Sequence, residues 1–189
     1  MEDTFSLNKF LAYMIFLLSL TGCTTLEREL HWQDTKDVIK NSYKLQTGDI
    51  IVKNKLWNEP ISWVGHSAVM ISDDKIGDYP KIGVNYYEIG VNSWLSEDRK
   101  VVVLRYKNFD EKFKKKFIEN AKKYSDGRYL VTLNKNSTDN FYCSKYVWFL
   151  YKKTAEDIGY NLDIDSDGGL MVFPYDFLNS KNLYQVYMQ

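Results

Sequence analysis

The chain has two cysteines, and their placement leaves its folded part without a disulfide. Cys23 closes Leu20-Thr21-Gly22-Cys23, directly after an unbroken apolar run at residues 10–20. That run is too short to span a bilayer and has the length of a signal-peptide core. Small Gly22 precedes Cys23 as a cleavage site requires, so the reading is a leader that is removed. Cys143 is then the only thiol of the exported domain. A lone thiol has no disulfide partner, and the domain must be held by its own core. The 189 residues suffice for that in a single domain.

The composition excludes several classes. Lys and Arg total 25 against 25 Asp and Glu, so no nucleic acid or other polyanion partner is implied. Only His31 and His66 exist in the chain, too few to build a zinc site with cysteine. Aromatic residues make up 16% and read mainly as core, with some left for a groove wall. No metal or other cofactor is expected. The Leu-Thr-Gly-Cys segment resembles the lipobox of bacterial lipoproteins, which implies acylation at Cys23 and a membrane held through that lipid. Thr24 in the next position, rather than Asp, points to the outer membrane if the envelope is Gram-negative.

The expected organisation is a signal peptide at 1–22, a polar lipid-anchored tether at 23–44 with one short helix at 26–39, and a domain at 45–189. Thr47-Gly48-Asp49 signals a turn before the strand-forming Ile50-Ile51-Val52. Residues 67–72 (SAVMIS) read as a buried strand, 84–89 as an alternating one, and 100–106 (KVVVLRY) as another. Phe113, Phe117, Ile118 and Ala121 recur at helical spacing within 110–124. A second helix spans 141–158 and ends at Gly159, a natural C′ residue. Pro174 and Asp176 begin a short final segment. Strands followed by helices give the α+β class, an antiparallel sheet packed against helices.

A cysteine nucleophile needs a base within reach and a third group to orient that base. Cys143 sits at the start of the second predicted helix, where the terminus favours a thiolate by about 0.3–1 kcal/mol. That is less than one pKa unit, about 1.36 kcal/mol, so a base must supply most of the activation. His66 is the one candidate, because His31 lies in the expected tether. Glu88 stands between Tyr87 and Ile89 and either pairs with an imidazolium or faces solvent on an edge strand. The backbone N–H of Cys143 is a natural oxyanion donor, and no second donor can be assigned. Asp163, Asp165 and Asp167 resemble the first half of a calcium loop. Position twelve would be Pro174, which has no carboxylate, so a solvated acidic turn is the better reading.

The segments Thr47-Gly48-Asp49-Ile50-Ile51, Gly65-His66-Ser67-Ala68-Val69, Tyr87-Glu88, Val103-Leu104-Arg105, Phe141-Tyr142-Cys143-Ser144 and Phe173-Pro174-Tyr175-Asp176 occur in a telling order. Together they resemble the YiiX/YebB-like group, a circularly permuted branch of the NlpC-type, papain-like cysteine hydrolases. Lecithin retinol acyltransferase is a distant relative. The resemblance implies a permuted papain-like fold, with Cys143 as nucleophile, His66 as base and Glu88 as orienter. Lys145 departs from the group, which often has an acidic residue after Cys-Ser. The function expected is an envelope hydrolase cleaving an amide, peptide or thioester, with a peptide, cell-wall or acyl substrate. Acyl transfer, lipid deacylation and a non-catalytic binding role on the same fold are the rivals.

Overall fold

The computed structural model describes residues 28–57 and 62–188. The apolar run at 10–20 and Cys23, where lipid attachment is expected, lie outside the described residues. Among those described, no helix is long and apolar enough to cross a membrane.

Seven antiparallel strands form one sheet: β1 (Gln33–Asp34), β2 (Ile50–Lys53), β3 (His66–Met70), β4 (Lys75–Asp78), β5 (Tyr87–Gly90), β6 (Lys100–Tyr106) and, late in the chain, β9 (Leu183–Val186). Their order is β1-β6-β2-β3-β4-β5, with β9 also pairing β6. Successive side chains of a strand point to opposite faces, so a sheet buried on both sides reads as a continuous apolar run. Ile50-Ile51-Val52 and Val101-Val102-Val103-Leu104 are such runs, all fully buried. Ile50, Val52, Val102 and Leu104 join the core beneath the helices α3 (Glu111–Lys123) and α4 (Cys143–Asp157). Ile51, Val101 and Val103 join a second core with Val91, Trp94 and Leu95 from the α2 region (Val91–Trp94).

The segment expected to be a tether is part of the fold. Val38, on α1 (Thr35–Lys40), is fully buried in the second core. Gln33 pairs with Val101 in the sheet, and its amide oxygen accepts from the Met188 N–H at 2.6 Å. Arg28 donates to the carbonyls of Leu178 and Leu183 at 2.5 and 2.7 Å. The polar composition of this stretch hid an edge strand that needs few apolar residues, since it caps a sheet already formed by others.

Helix α4 is buried almost all round from Ser144 to Tyr151, the mark of a central helix. Gly159 closes it with φ +85°, a left-handed conformation that glycine adopts without steric cost. Helix α3 is amphipathic as its spacing predicts, capped by Asp110, whose carboxylate accepts from the Phe113 N–H at 2.7 Å.

Candidate active site

Cys143 is the first residue of α4, separated from the two-residue strand β8 (Asn140–Phe141) only by the N-cap Tyr142. The N–H groups of a helix's first turn have no partner within the helix, so those beside this sulfur are free to meet an anion. The helix start is pinned on two sides of its residue 143. The Tyr142 hydroxyl accepts from the Val172 N–H at 3.0 Å, and the Ser144 hydroxyl donates to the Val172 carbonyl at 2.7 Å. Lys145 is fully buried and donates to the carbonyls of Ser137 and Asn140 at 2.9 and 2.5 Å. It thereby ties the approach loop to the helix. Burial pulls its ammonium pKa down to about 8, against the opposing pull of Asp139.

His66 opens β3 beside Gly65, whose φ of +77° turns the chain into the strand. A Cβ at Gly65 would come within 2.9 Å of the Lys53 carbonyl, so the tight approach is itself a reason for glycine. The ring Nε2 meets Asp78 Oδ2 at 2.8 Å, and the ring stacks on Trp94 with centroids 5.7 Å apart. Asp78 ends β4, is buried, and also accepts from Trp94 Nε1 at 3.0 Å through the same oxygen. With Nε2 engaged by Asp78, Nδ1 is the nitrogen left for the Cys143 sulfur. Burial works against the imidazolium, but the Asp78 carboxylate and then the charge and hydrogen bond of Cys143 outweigh it, raising the pKa from 6.5 to about 10. The folded chain therefore binds a proton that the unfolded chain releases between those values. This pair's stabilisation is full below about 6.5 and lost as pH rises through about 10.

The carboxylate against His66 is thus that of Asp78, not of Glu88. Glu88 is exposed on the edge strand β5 and accepts from the Tyr86 hydroxyl at 3.3 Å. In the β4–β5 ladder Asp78 lies opposite Tyr87, and Glu88 opposite Gly77. Residues opposite each other share a face and neighbours along a strand do not, so the two carboxylates point to opposite sides of the sheet. His31 lies elsewhere, its N–H donating to Gln185 Oε1 at 2.9 Å.

Cys143, His66 and Asp78 line a cleft of about 420 Å³, walled by Gly65, Pro80, Tyr87, Ile89, Trp94 and Tyr129. Tyr129 had no distinguishing signal among 15 tyrosines. It arrives beside the cysteine because β7 (Arg128–Tyr129) pairs in parallel with β8, placing Tyr129 opposite Phe141. Burial, followed by the charges of Cys143 and Asp78, raises its phenol pKa well above the ordinary value, so it stays an O–H donor.

The acidic turn at 163–168 is tied up within the fold. Asp163 Oδ1 accepts from Trp148 Nε1 at 2.8 Å and from the Asp165 N–H at 2.9 Å. Among the described residues, Asp165, Asp167 and Asp176 form the one carboxylate group close enough to hold a cation. The Lys135 ammonium already pairs with Asp165 and donates to the Gly169 carbonyl at 2.7 Å. Burial, with the nearby Asp167 and Asp165, pushes Asp176 up to about 7.

An antiparallel sheet that presents a histidine to a cysteine at the start of a central helix, with the histidine earlier in the chain, defines a permuted papain-like cysteine hydrolase. Residues 44–187 match the family described as "Permuted papain-like amidase enzyme, YaeF/YiiX, C92 family", and the chain belongs to that family. A solved structure titled as that of the metalloprotein yiiX from Escherichia coli O157:H7 is similar in fold, with a TM-score of 0.58 and 18% identity. The alignment covers 77% of this chain and 98% of that one. No curated protein matches the chain.

Proposed function

We propose that this cysteine hydrolase is an envelope amidase that cleaves an amide or peptide bond through an acyl-enzyme on Cys143. The observation that carries the reading is the His66 ring, held at 2.8 Å by buried Asp78 while Cys143 adds to the stability of its charged form. In this scheme the Cys143 thiolate attacks the carbonyl carbon, and a C–S bond forms. His66 gives its proton to the leaving nitrogen as the C–N bond breaks. Water then attacks the thioester, His66 takes its proton, the C–S bond breaks, and the free acid leaves with the Cys143 thiolate and His66 imidazolium restored. The Cys143 N–H and the Tyr129 hydroxyl are the donors for the oxyanion formed on the way.

The pairing is tested by alkylating Cys143 with iodoacetamide across a pH series in the wild type and in His66→Ala. The wild type is expected to react rapidly at neutral pH, and its ion pair to be lost on the alkaline side as His66 gives up its proton near pH 10. His66→Ala is expected to slow the neutral-pH rate by about tenfold or more, the equivalent of about 1.4 kcal/mol. The deficit should close as hydroxide removes the thiol proton instead. Equal rates at pH 7 in the two proteins would refute the pair.

The address is part of the proposal: cleavage before Cys23 and acylation of its thiol would hold the domain at the membrane. Support comes from the apolar run at 10–20 and the Leu-Thr-Gly-Cys motif. Cys23→Ser is expected to abolish fatty-acid labelling and leave uncleaved precursor or released protein. Labelling that persists in this variant would reject the lipid site.

A further inference from the structure

We infer that the mouth of the cleft is a membrane-docking surface, which seats the amidase on the bilayer that holds its own anchor and gives it amides borne at that surface as substrates. The inference rests on the address and the Cys143 chemistry proposed above and adds the setting of the substrate. Three segments border the cleft. The connection from β2 to β3 contributes Ser62 and Val64 to its wall, the connection after β4 contributes Lys81, and β7 contributes Tyr129. Each segment carries large apolar side chains close to those wall residues. Trp57 and Trp63 lie on the first, Ile82 on the second, and Leu130 and Leu133 just beyond the third, all between 50% and 82% exposed. The second and third are joined, since the Tyr129 N–H donates to Asn85 Oδ1 at 3.2 Å. Single apolar side chains on a surface need no explanation, whereas a set around one opening marks a contact site.

The occupant follows from where the anchor would leave the fold. Cys23 stands five positions before Arg28, a reach of about 18 Å at full stretch. Arg28 is held by the Leu178 carbonyl, on the short 3₁₀-helix Pro174–Asn179. Tyr175 lies three residues earlier on that helix, about 6 Å away along its axis. Its hydroxyl accepts from the Lys55 N–H at 3.1 Å, two residues before Trp57. Its ring packs beside Gly65, where a Cβ would come within 3.1 Å of it. A lipid on Cys23 would therefore emerge on the side of the domain that bears Trp57 and Trp63, and it would keep a bilayer within reach of the cleft. Tryptophan suits the membrane–water interface, because its ring is apolar and its N–H polar. Lys81 and Arg128, exposed beside Ile82 and Tyr129, suit the phosphates of lipid headgroups.

The test places the full chain, expressed with its leader, in vesicles of phosphatidylethanolamine and phosphatidylglycerol, with or without bromine on the acyl chains. Bromine quenches only an indole that meets the lipid, and Trp94 and Trp148 are buried. The wild type is expected to lose about two-fifths of its emission in the brominated vesicles, the share of two among five tryptophans. Trp57→Phe with Trp63→Phe should leave no quenching. Leu130→Asp with Leu133→Asp, on the far side of the mouth, should cut the quenching by about half or more, because a carboxylate is costly in the bilayer. Ile118→Asp, at an exposed position of α3, should leave it unchanged. All of these proteins should still float with the vesicles. Quenching that persists without Trp57 and Trp63 puts another face on the lipid and overturns the docking surface. So does a wild type that floats with no quenching, its mouth then facing water or a protein partner. A wild type that does not float refutes the anchor instead, and the inference falls with it. The readout is contact and not turnover, so it stands apart from any failure of the Cys143 chemistry.

Discussion

Asp78→Asn is expected to lower amidase turnover by about 10²- to 10⁴-fold while the domain stays folded. Asp78 accepts from His66 Nε2 at 2.8 Å and is the first of the groups that raise the imidazolium pKa against burial. An asparagine amide can present N–H to Nε2, which would leave the ring's proton on Nδ1, facing the sulfur as a donor. The imidazole would then be in the wrong tautomer to take a proton from thiol or water, the fault that costs a serine triad about 10⁴. The His66 pKa should fall from about 10 towards its ordinary value, measurable by NMR titration of the ring. Glu88→Gln is the matched control. Its carboxylate is exposed and on the opposite face of the sheet, so turnover should stay within about twofold, the effect of an ordinary surface change. Loss of activity in Glu88→Gln with retention in Asp78→Asn would reverse the assignment of the orienting carboxylate.

Tyr129→Phe is expected to reduce kcat by about 10²- to 10³-fold with little change in KM, the signature of a donor used in the transition state. The phenol shares the cleft with Cys143, carried there by the parallel β7–β8 pair. Alkylation by iodoacetamide forms no oxyanion, so that rate should be the same in Tyr129→Phe and the wild type. A parallel fall in both rates would instead make Tyr129 a packing residue of the cleft wall. Comparable kcat values in the two proteins would remove it from the mechanism.

The two central residues were legible because each is nearly alone in its type. One thiol lies beyond residue 23 and one histidine beyond residue 44, so Cys143 and His66 stand out, and they lie in helix-start and strand-end contexts readable from periodicity. The valine-rich run at 101–103 and the helices α3 and α4 were legible for the same reason, since their apolar spacing is set by the faces they bury. Strand β4 was not. Its Lys-Ile-Gly-Asp is bracketed by Asp73-Asp74 and Tyr79-Pro80, a composition that reads as turn, yet it is a strand because β3 and β5 supply its hydrogen bonds. Missing that strand meant missing Asp78, and Glu88 stood in its place.

The chemistry available is written in the chain: a cysteine, a histidine, acidic residues and an order of strands before helices. Which carboxylate lies against the histidine depends on how the strands pair. That choice is a matter of register, because Asp78 faces Tyr87 and Glu88 faces Gly77, and a displacement of one residue along a strand turns a side chain to the other side of the sheet. Likewise, the polar stretch at 28–44 became part of the domain because β6 has an edge to pair and the second core has room for Val38. Such outcomes depend on partners far away in the chain, and local composition carries no record of them.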